Sequence, residues 1–508
     1  MRKATMRTLL YQIQRTEAQV EQESKLEDGK SLGWWTFQRS LDFIVMPFAP
    51  PHPSDSDAAL SEVTRGLSGL SLHEGMGDPG FQGRSGAVLL VKAAADAKSS
   101  SESVSGCEQP TKSRTLRPWT TRLWDTPSHD LPHTVEFPAP ALLDTLLRLY
   151  FTRTHTVLPL LHRPTFEKQL AAGLHLTHIG LARIVLLVCA LGSTSLPAPY
   201  YSRSARFSLG WGFYSQFLEL KENFPRQQAT VADIQASCLA AAFLNCMDNV
   251  RSAMMVSRTG LRRSLDIGAH RGSVSPVADE GHESSTRVFW FILFIDLNHC
   301  VALGRGVLLD PMDMSIGSSK DYADGVPGYM DALITLYRIM NFIHLALYPL
   351  NRSMDTGLDY WFKNLPSPLR WNPDTNSGSK RPLDQSAALH CLYYYLRILL
   401  HRRYLPAIAF SSGTEPEPRT VGVCTVAARE CIKVALRHRE LRPDTPIWFS
   451  QQPLFTSAMI LIICARDTDV HASTVPPINV AEDLKLAEAA ADVLSDQAER
   501  WPSSQFYA

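Results

Sequence analysis

From Pro140 to the C-terminus the chain repeats one pattern, amphipathic stretches at helical period divided by Pro, Gly and Ser breaks. Helices are read near 141–154, 164–172, 178–192, 207–222, 230–247, 251–268, 285–303, 328–348, 386–403, 420–440, 454–466 and 480–499. No run of alternating β-branched residues competes, so the apolar faces have only other helices to cover them. Val288-Phe-Trp-Phe-Ile-Leu-Phe-Ile295, closed by Asp296, is apolar all round and belongs inside a bundle. Residues 140–508 are therefore expected to form a single large all-α domain of about a dozen helices, with Trp290 in its core.

Upstream the composition changes, and this part reads as a partly disordered N-terminal region. Residues 1–30 carry a short helix in which Met6, Leu9, Ile13, Thr16 and Val20 follow a coiled-coil seam. The seam covers barely two heptads and is marginal alone. Residues 31–139 read as a low-order linker, with Pro50-Pro-His-Pro53 and Lys98-Ser-Ser-Ser-Glu-Ser103. A short helical island is expected at Gly86–Lys98, and 32–48 is unusually aromatic for a linker.

Lys plus Arg number 50 and Asp plus Glu number 50. A chain of zero formal charge lacks the cationic surplus that phosphate contacts require, so most of it is not expected to touch nucleic acid. The nine cysteines, Cys107, Cys189, Cys238, Cys246, Cys300, Cys391, Cys424, Cys431 and Cys464, include no C-x-x-C pair. Their scatter through apolar patterns points to reduced, buried thiols. No segment reaches the roughly 18 consecutive apolar residues of a membrane span. The N-terminus shows no signal-peptide core, so an intracellular chain is expected.

Candidate chemistry is sparse. Gly75-Met-Gly77-Asp-Pro-Gly80 matches G-x-G-x-x-G, but no strand precedes it and Pro79 breaks any helix that would start there. Walker, nucleophile-elbow and H-E-x-x-H motifs are absent. Asp296 with His299, and His175 with His178, have metal-ligand spacing, yet two ligands do not make a site. Pairing of Asp296 with an arginine from a neighbouring helix is the better expectation. Lys112, Arg114, Arg117 and Arg122 alternate with Trp119 and Trp124, and read as a linker docking its tryptophans. No catalytic, metal or DNA-binding residue is assigned.

Four segments carry a resemblance. The first is Tyr150-Phe151, His155, then Leu161-His162-Arg163-Pro164-Thr165-Phe166. The second, Gly260 to Arg271, ends in Gly268-Ala-His270-Arg271. The third is Arg287-Val-Phe289-Trp290, then Asp296, then Gly304-Arg305. The fourth is Leu396-Arg-Ile-Leu-Leu-His401-Arg402. In order and spacing they resemble the fungal-specific transcription factor regulatory domain, also called the xylanolytic activator regulatory domain. Leu67–Leu72, Phe81–Ala87 and Leu116–Trp119 resemble linker segments of basidiomycete members. Gly306 stands where the family has Pro, and Ala269 where it has Leu.

The resemblance implies an all-α transcription regulator acting in the nucleus. Its partners would be the transcription machinery, homo- or heterodimers with family members, and a small-molecule inducer. Complete members bind DNA through a zinc cluster of six cysteines, followed by a coiled coil. Here the cysteine set is missing, so no cofactor is expected in this chain and DNA is expected only through a missing module or a partner. The alternatives are a non-DNA-binding adaptor or inhibitor of the same family and, from another class, a helical enzyme. The signature arginines are expected to cap carbonyls or to pair with buried carboxylates.

Overall fold

The computed structural model describes residues 135–196, 208–220, 229–247, 250–270, 280–309, 326–345, 352–373, 380–405, 418–447, 449–466, 479–498 and 501. The 6–20 seam, the helical island, the 112–124 stretch, Cys107 and Arg271 lie outside them.

The described residues form helices α1 (Pro140–Thr152), α2 (Thr154–Val157), α3 (Arg163–Ala171), α4 (Ile179–Ser193), α5 (Trp211–Glu219), α6 (Val231–Cys246) and α7 (Val250–Asp266). They continue with α8 (Glu280–Leu303), α9 (Tyr329–Leu345), α10 (Arg352–Asn364), α11 (Lys380–His401), α12 (Pro418–Leu441), α13 (Gln451–Arg466) and α14 (Val480–Ala498). Among the described residues there is no strand.

Each boundary has a local cause. Pro140 opens α1 at a position where its missing N–H costs nothing. Thr230 and Asp233 close a capping box on α6: Asp233 N donates to Thr230 Oγ1 at 3.3 Å and Thr230 N to Asp233 Oδ2 at 2.9 Å. The same carboxylate accepts from Arg183 of α4 at 2.7 Å, so the cap also anchors the neighbouring helix.

In the N-terminal half α4 runs nearly unexposed from Leu181 to Ser193, covered by α1, α5 and α6. Helices α6, α7 and α8 cross where a side chain at Gly260 would meet Ser237 and Ile292. In the C-terminal half α11 is buried on nearly every side. It packs on α2, α9 and α10, and also on α12 and α13, while α14 covers α12 and α13. One large apolar cluster extends from Leu146 to Leu400 and takes in Trp501; a second joins α11 to α14.

Helix α8 carries the apolar run Val288–Ile295 inside the bundle. Glu283–Leu303 is long and apolar enough to cross a membrane by length and composition alone. Most of that stretch is buried inside the protein, and beyond Asp296 the helix continues to Leu303. Trp290 is buried against Phe289, with the guanidinium of Arg338 5.1 Å from its ring centre.

Candidate functional site

The first signature segment builds a joint. Tyr150 and Phe151 end α1 and stack edge-on at 5.1 Å, and His155 packs against Phe151 at 5.0 Å. Phe166 closes the far side of Phe151 at 5.7 Å, and the Arg163 guanidinium lies 5.0 Å from the Phe151 ring centre while its Nε donates to Glu167. His162 precedes α3 and hydrogen-bonds Thr165 through Nδ1 at 2.6 Å; Pro164 sits in the first turn.

Between these helices runs a non-helical stretch, Leu158 to Leu161, whose carbonyls have no helical partner. His155 of α2 and side chains from distant helices serve carbonyls of this stretch and of the end of α2. His155 Nε2 donates to Leu161 O at 2.7 Å, and Tyr329 Oη of α9 to Val157 O at 2.8 Å. Gln385 of α11 donates to Thr156 O at 2.8 Å, and Arg287 of α8 to Pro159 O at 3.4 Å. Arg287 is almost wholly enclosed, and it also pairs with Glu283 at 3.2 Å. One short segment thereby ties together α2, α8, α9 and α11.

The second and third segments build another joint. Gly268 ends α7 at φ 75, where a side chain would be strained, and Ala269 N donates back to Ser264 O at 2.9 Å. Gly304 ends α8 in the same way at φ 62, with Arg305 N donating to Cys300 O at 2.9 Å. The signature glycines are thus helix terminators. His270 is buried just beyond the first of them.

Asp296 is 1% exposed in mid-helix and is paired with Arg258 of α7 at 3.3 Å. Arg258 also donates to the Gly306 carbonyl at 2.8 Å and to Cys300 Sγ at 3.4 Å, so it pins the end of α8 onto α7. Burial pushes the Asp296 carboxyl up, against the pull of Arg258 and the hydrogen bonds from Cys300 and Ser257. His299 is pushed down to about 4 by burial, with the Arg258 charge adding to it. Ser257 Oγ lies 3.4 Å from Asp296 and 3.5 Å from His299 Nδ1, but all three are sealed from solvent, which suits a strut and denies a substrate access. Arg305 is exposed; its carbonyl accepts from His344 at 2.8 Å.

The fourth segment stands apart. His401 Nε2 lies 3.4 Å from Asp355 of α10, which also pairs with Arg397 at 3.3 Å. Burial pushes Asp355 up, but the hydrogen bond with His401 and the Arg397 charge outweigh it, so the carboxyl sits below its ordinary value. Arg402 lies half-buried in the following 3₁₀ turn.

The structure therefore joins segments one and three through Arg287 and segments two and three through Arg258, and keeps the fourth at the α10–α11 seam. Sequence reasoning assigned no role to Arg258, Tyr329 or Gln385, whose partners lie 38, 172 and 229 residues away. The arginine expected opposite Asp296 does come from a neighbouring helix, but from outside the signature set, while Arg287 serves a carbonyl as expected. The partner of Asp296 is Arg258, whereas Arg163 and Arg287 pair with glutamates one turn along their own helices.

The eight described cysteines are buried and form no disulfide, and burial pushes the Cys189 thiol up to about 12 and that of Cys300 to about 11. Among the described residues no three His, Cys, Asp or Glu side chains come together as metal ligands, so the donor set of a zinc cluster is not found there.

These joints can be set beside known proteins. Residues 147–321 match the fungal specific transcription factor domain. The chain is 24% identical over 370 residues to the transcriptional activator protein acu-15 of Neurospora crassa, which covers 66% of this chain and 38% of that protein. It is 24% identical over 416 residues to the acetamidase regulatory protein of Aspergillus fumigatus, covering 73% and 48%. It is 23% identical over 310 residues to cutinase transcription factor 1 alpha of Fusarium vanettenii, covering 55% and 33%. The chain spans about a third to a half of the length of these relatives. No solved structure matches it. The helix ends and buried pairs that lock α1, α7 and α8 together thus lie largely within residues 147–321, the stretch that is similar to the fungal specific transcription factor domain.

Proposed function

We propose that this chain is a fungal transcription regulator that works in the nucleus through its helical domain. The observation that carries the reading is the match of residues 147–321 to the fungal specific transcription factor domain, with relatives whose names are those of transcriptional activators and regulators. Physical chemistry agrees with it. The signature side chains are spent on holding helices together, which is the work of a scaffold and not of a catalyst. We assign no catalytic residue, no cofactor and no direct DNA contact.

A second reading, a non-DNA-binding adaptor or inhibitor that pairs with complete family members, is favoured by two observations: none of the nine cysteines forms a C-x-x-C pair, and the net charge is zero. On either reading the chain reaches DNA through another module.

The test is a reporter assay with the full chain fused to an unrelated DNA-binding module. A regulator changes reporter output several-fold over the module alone. Output equal to that of the module alone, with the fusion folded and nuclear, contradicts the proposal. The adaptor reading adds that the untagged chain co-purifies with a zinc-cluster partner and shifts no DNA without it.

A further inference from the structure

Phe449 adopts φ 64, and among the described residues it is the sole non-glycine in the left-handed region. A bulky side chain is disfavoured there, and such an outlier persists only where its surroundings hold it. What holds Phe449 is a cleft. Its ring meets that of Phe294 edge-on at 4.6 Å, and Phe294 is backed by Tyr337 at 3.9 Å. The cleft is lined by α8, α9 and α11 together with the segment that leads into α13. With Phe449 in place about 30 Å³ remains open, room for about two water-sized groups and for no organic molecule.

The lining fixes what could bind. Phe294, Leu333 and Leu392 supply apolar surface, and Asn298, Tyr337 and Tyr395 supply the polar atoms. Among the described residues that line the cleft none carries a charged side chain. A carboxylate or ammonium would enter without a counter-charge and lose its hydration, so charged ligands are disfavoured. Aromatic edges favour a flat ring, and the amide and phenol groups favour one hydroxyl.

We propose that this cleft is a binding site for a small neutral aromatic alcohol of the phenol class, whose ring replaces that of Phe449 against Phe294. Departure of Phe449 relieves its backbone, and the incoming ring restores the lost contact. The cleft joins helices of the matched domain to the C-terminal helices, so occupancy couples the two halves; that consequence rests on the regulator reading, while binding itself does not.

The test is calorimetric titration of the full chain with phenol, with cyclohexanol and benzoate as comparisons. Phenol is expected to bind saturably, cyclohexanol more weakly and benzoate not at all. Phe449→Ala is expected to bind phenol about tenfold more tightly, because a closed state no longer competes. Ala388→Leu, which fills the cleft from α11, is expected to lose binding while keeping its helical circular dichroism. No saturable binding to the unaltered chain overturns the proposal, as does an unchanged affinity in folded Phe449→Ala or folded Ala388→Leu. If a variant fails to fold, the titration of the unaltered chain alone decides. Because no DNA or reporter is involved, failure here leaves the transcriptional reading standing, and a silent reporter leaves the binding result standing.

Discussion

Trp371 donates its backbone N–H to His390 Nε2 at 3.4 Å, while His390 Nδ1 donates to the Ser386 carbonyl at 2.8 Å. Both ring nitrogens are used by the neutral imidazole, and a second ring proton would point at an N–H. Burial lowers His390 to about 4, opposed by the Ser386 hydrogen bond, and His299 reaches a similar value. A histidine lowered on folding contributes stability that is present above the unfolded value of about 6.5 and is lost as pH falls toward 4. Each should contribute about 3 kcal/mol over that window. Asp296, raised by burial, acts in the opposite sense near the bottom of the window, so the His390→Gln variant isolates one group better than the whole profile does. Urea unfolding between pH 7 and pH 4.5 should show a shallower loss in His390→Gln than in the unaltered chain; parallel losses would contradict this assignment. At this scale the sequence is only half legible. Asp296 in an apolar helix announces that it needs a cation, because a lone buried charge is costly. It does not announce Arg258, since side chains that meet only through tertiary packing leave no local period.

Helices were the most legible level. All twelve stretches read from periodicity are helical, with ends displaced by a few residues where caps and 3₁₀ turns decide. Helix α10 was not expected. Its sequence is mostly polar and holds Gly357, and its buried side is a narrow stripe through Leu358 and Trp361. That stripe is fixed by tertiary contacts, including the Trp361 indole N–H donating to the Ala332 carbonyl at 3.0 Å. Two predictions belong here. Trp290→Ala should cost roughly 3–5 kcal/mol, as for other buried large aromatics, and a chemical-denaturation loss under about 1 kcal/mol would mean the ring is not part of the core. Asp483 of α14 is wholly buried and accepts two hydrogen bonds from Arg429 of α12, at 2.6 and 2.9 Å. Asp483→Ala strands that guanidinium and should cost about 3–5 kcal/mol. Amide exchange should then rise first in α14, and uniform exchange across all helices would show that α14 is not separately anchored.

At the scale of the molecule, the signature segments mark where helices from different parts of the chain are fastened to one another. Their composition was readable, but their division of labour was not: glycines terminate α7 and α8, Arg287 serves a distant carbonyl, and Arg258, outside the expected set, is the main strut. The central claim is that these residues act by holding the fold and have no chemistry of their own in regulation. Arg258 and Asp296 test it most directly. Arg258→Met or Asp296→Leu alone leaves a partner unpaired and should cost about 3–5 kcal/mol, whereas the double variant replaces a buried pair by apolar groups of similar volume and should recover most of it. Stability and reporter output of the DNA-tethered full chain should be measured on all four proteins. The account predicts that output falls in each single variant and returns with stability in the double variant. A double variant that is as stable as the unaltered chain yet silent in the reporter would contradict it.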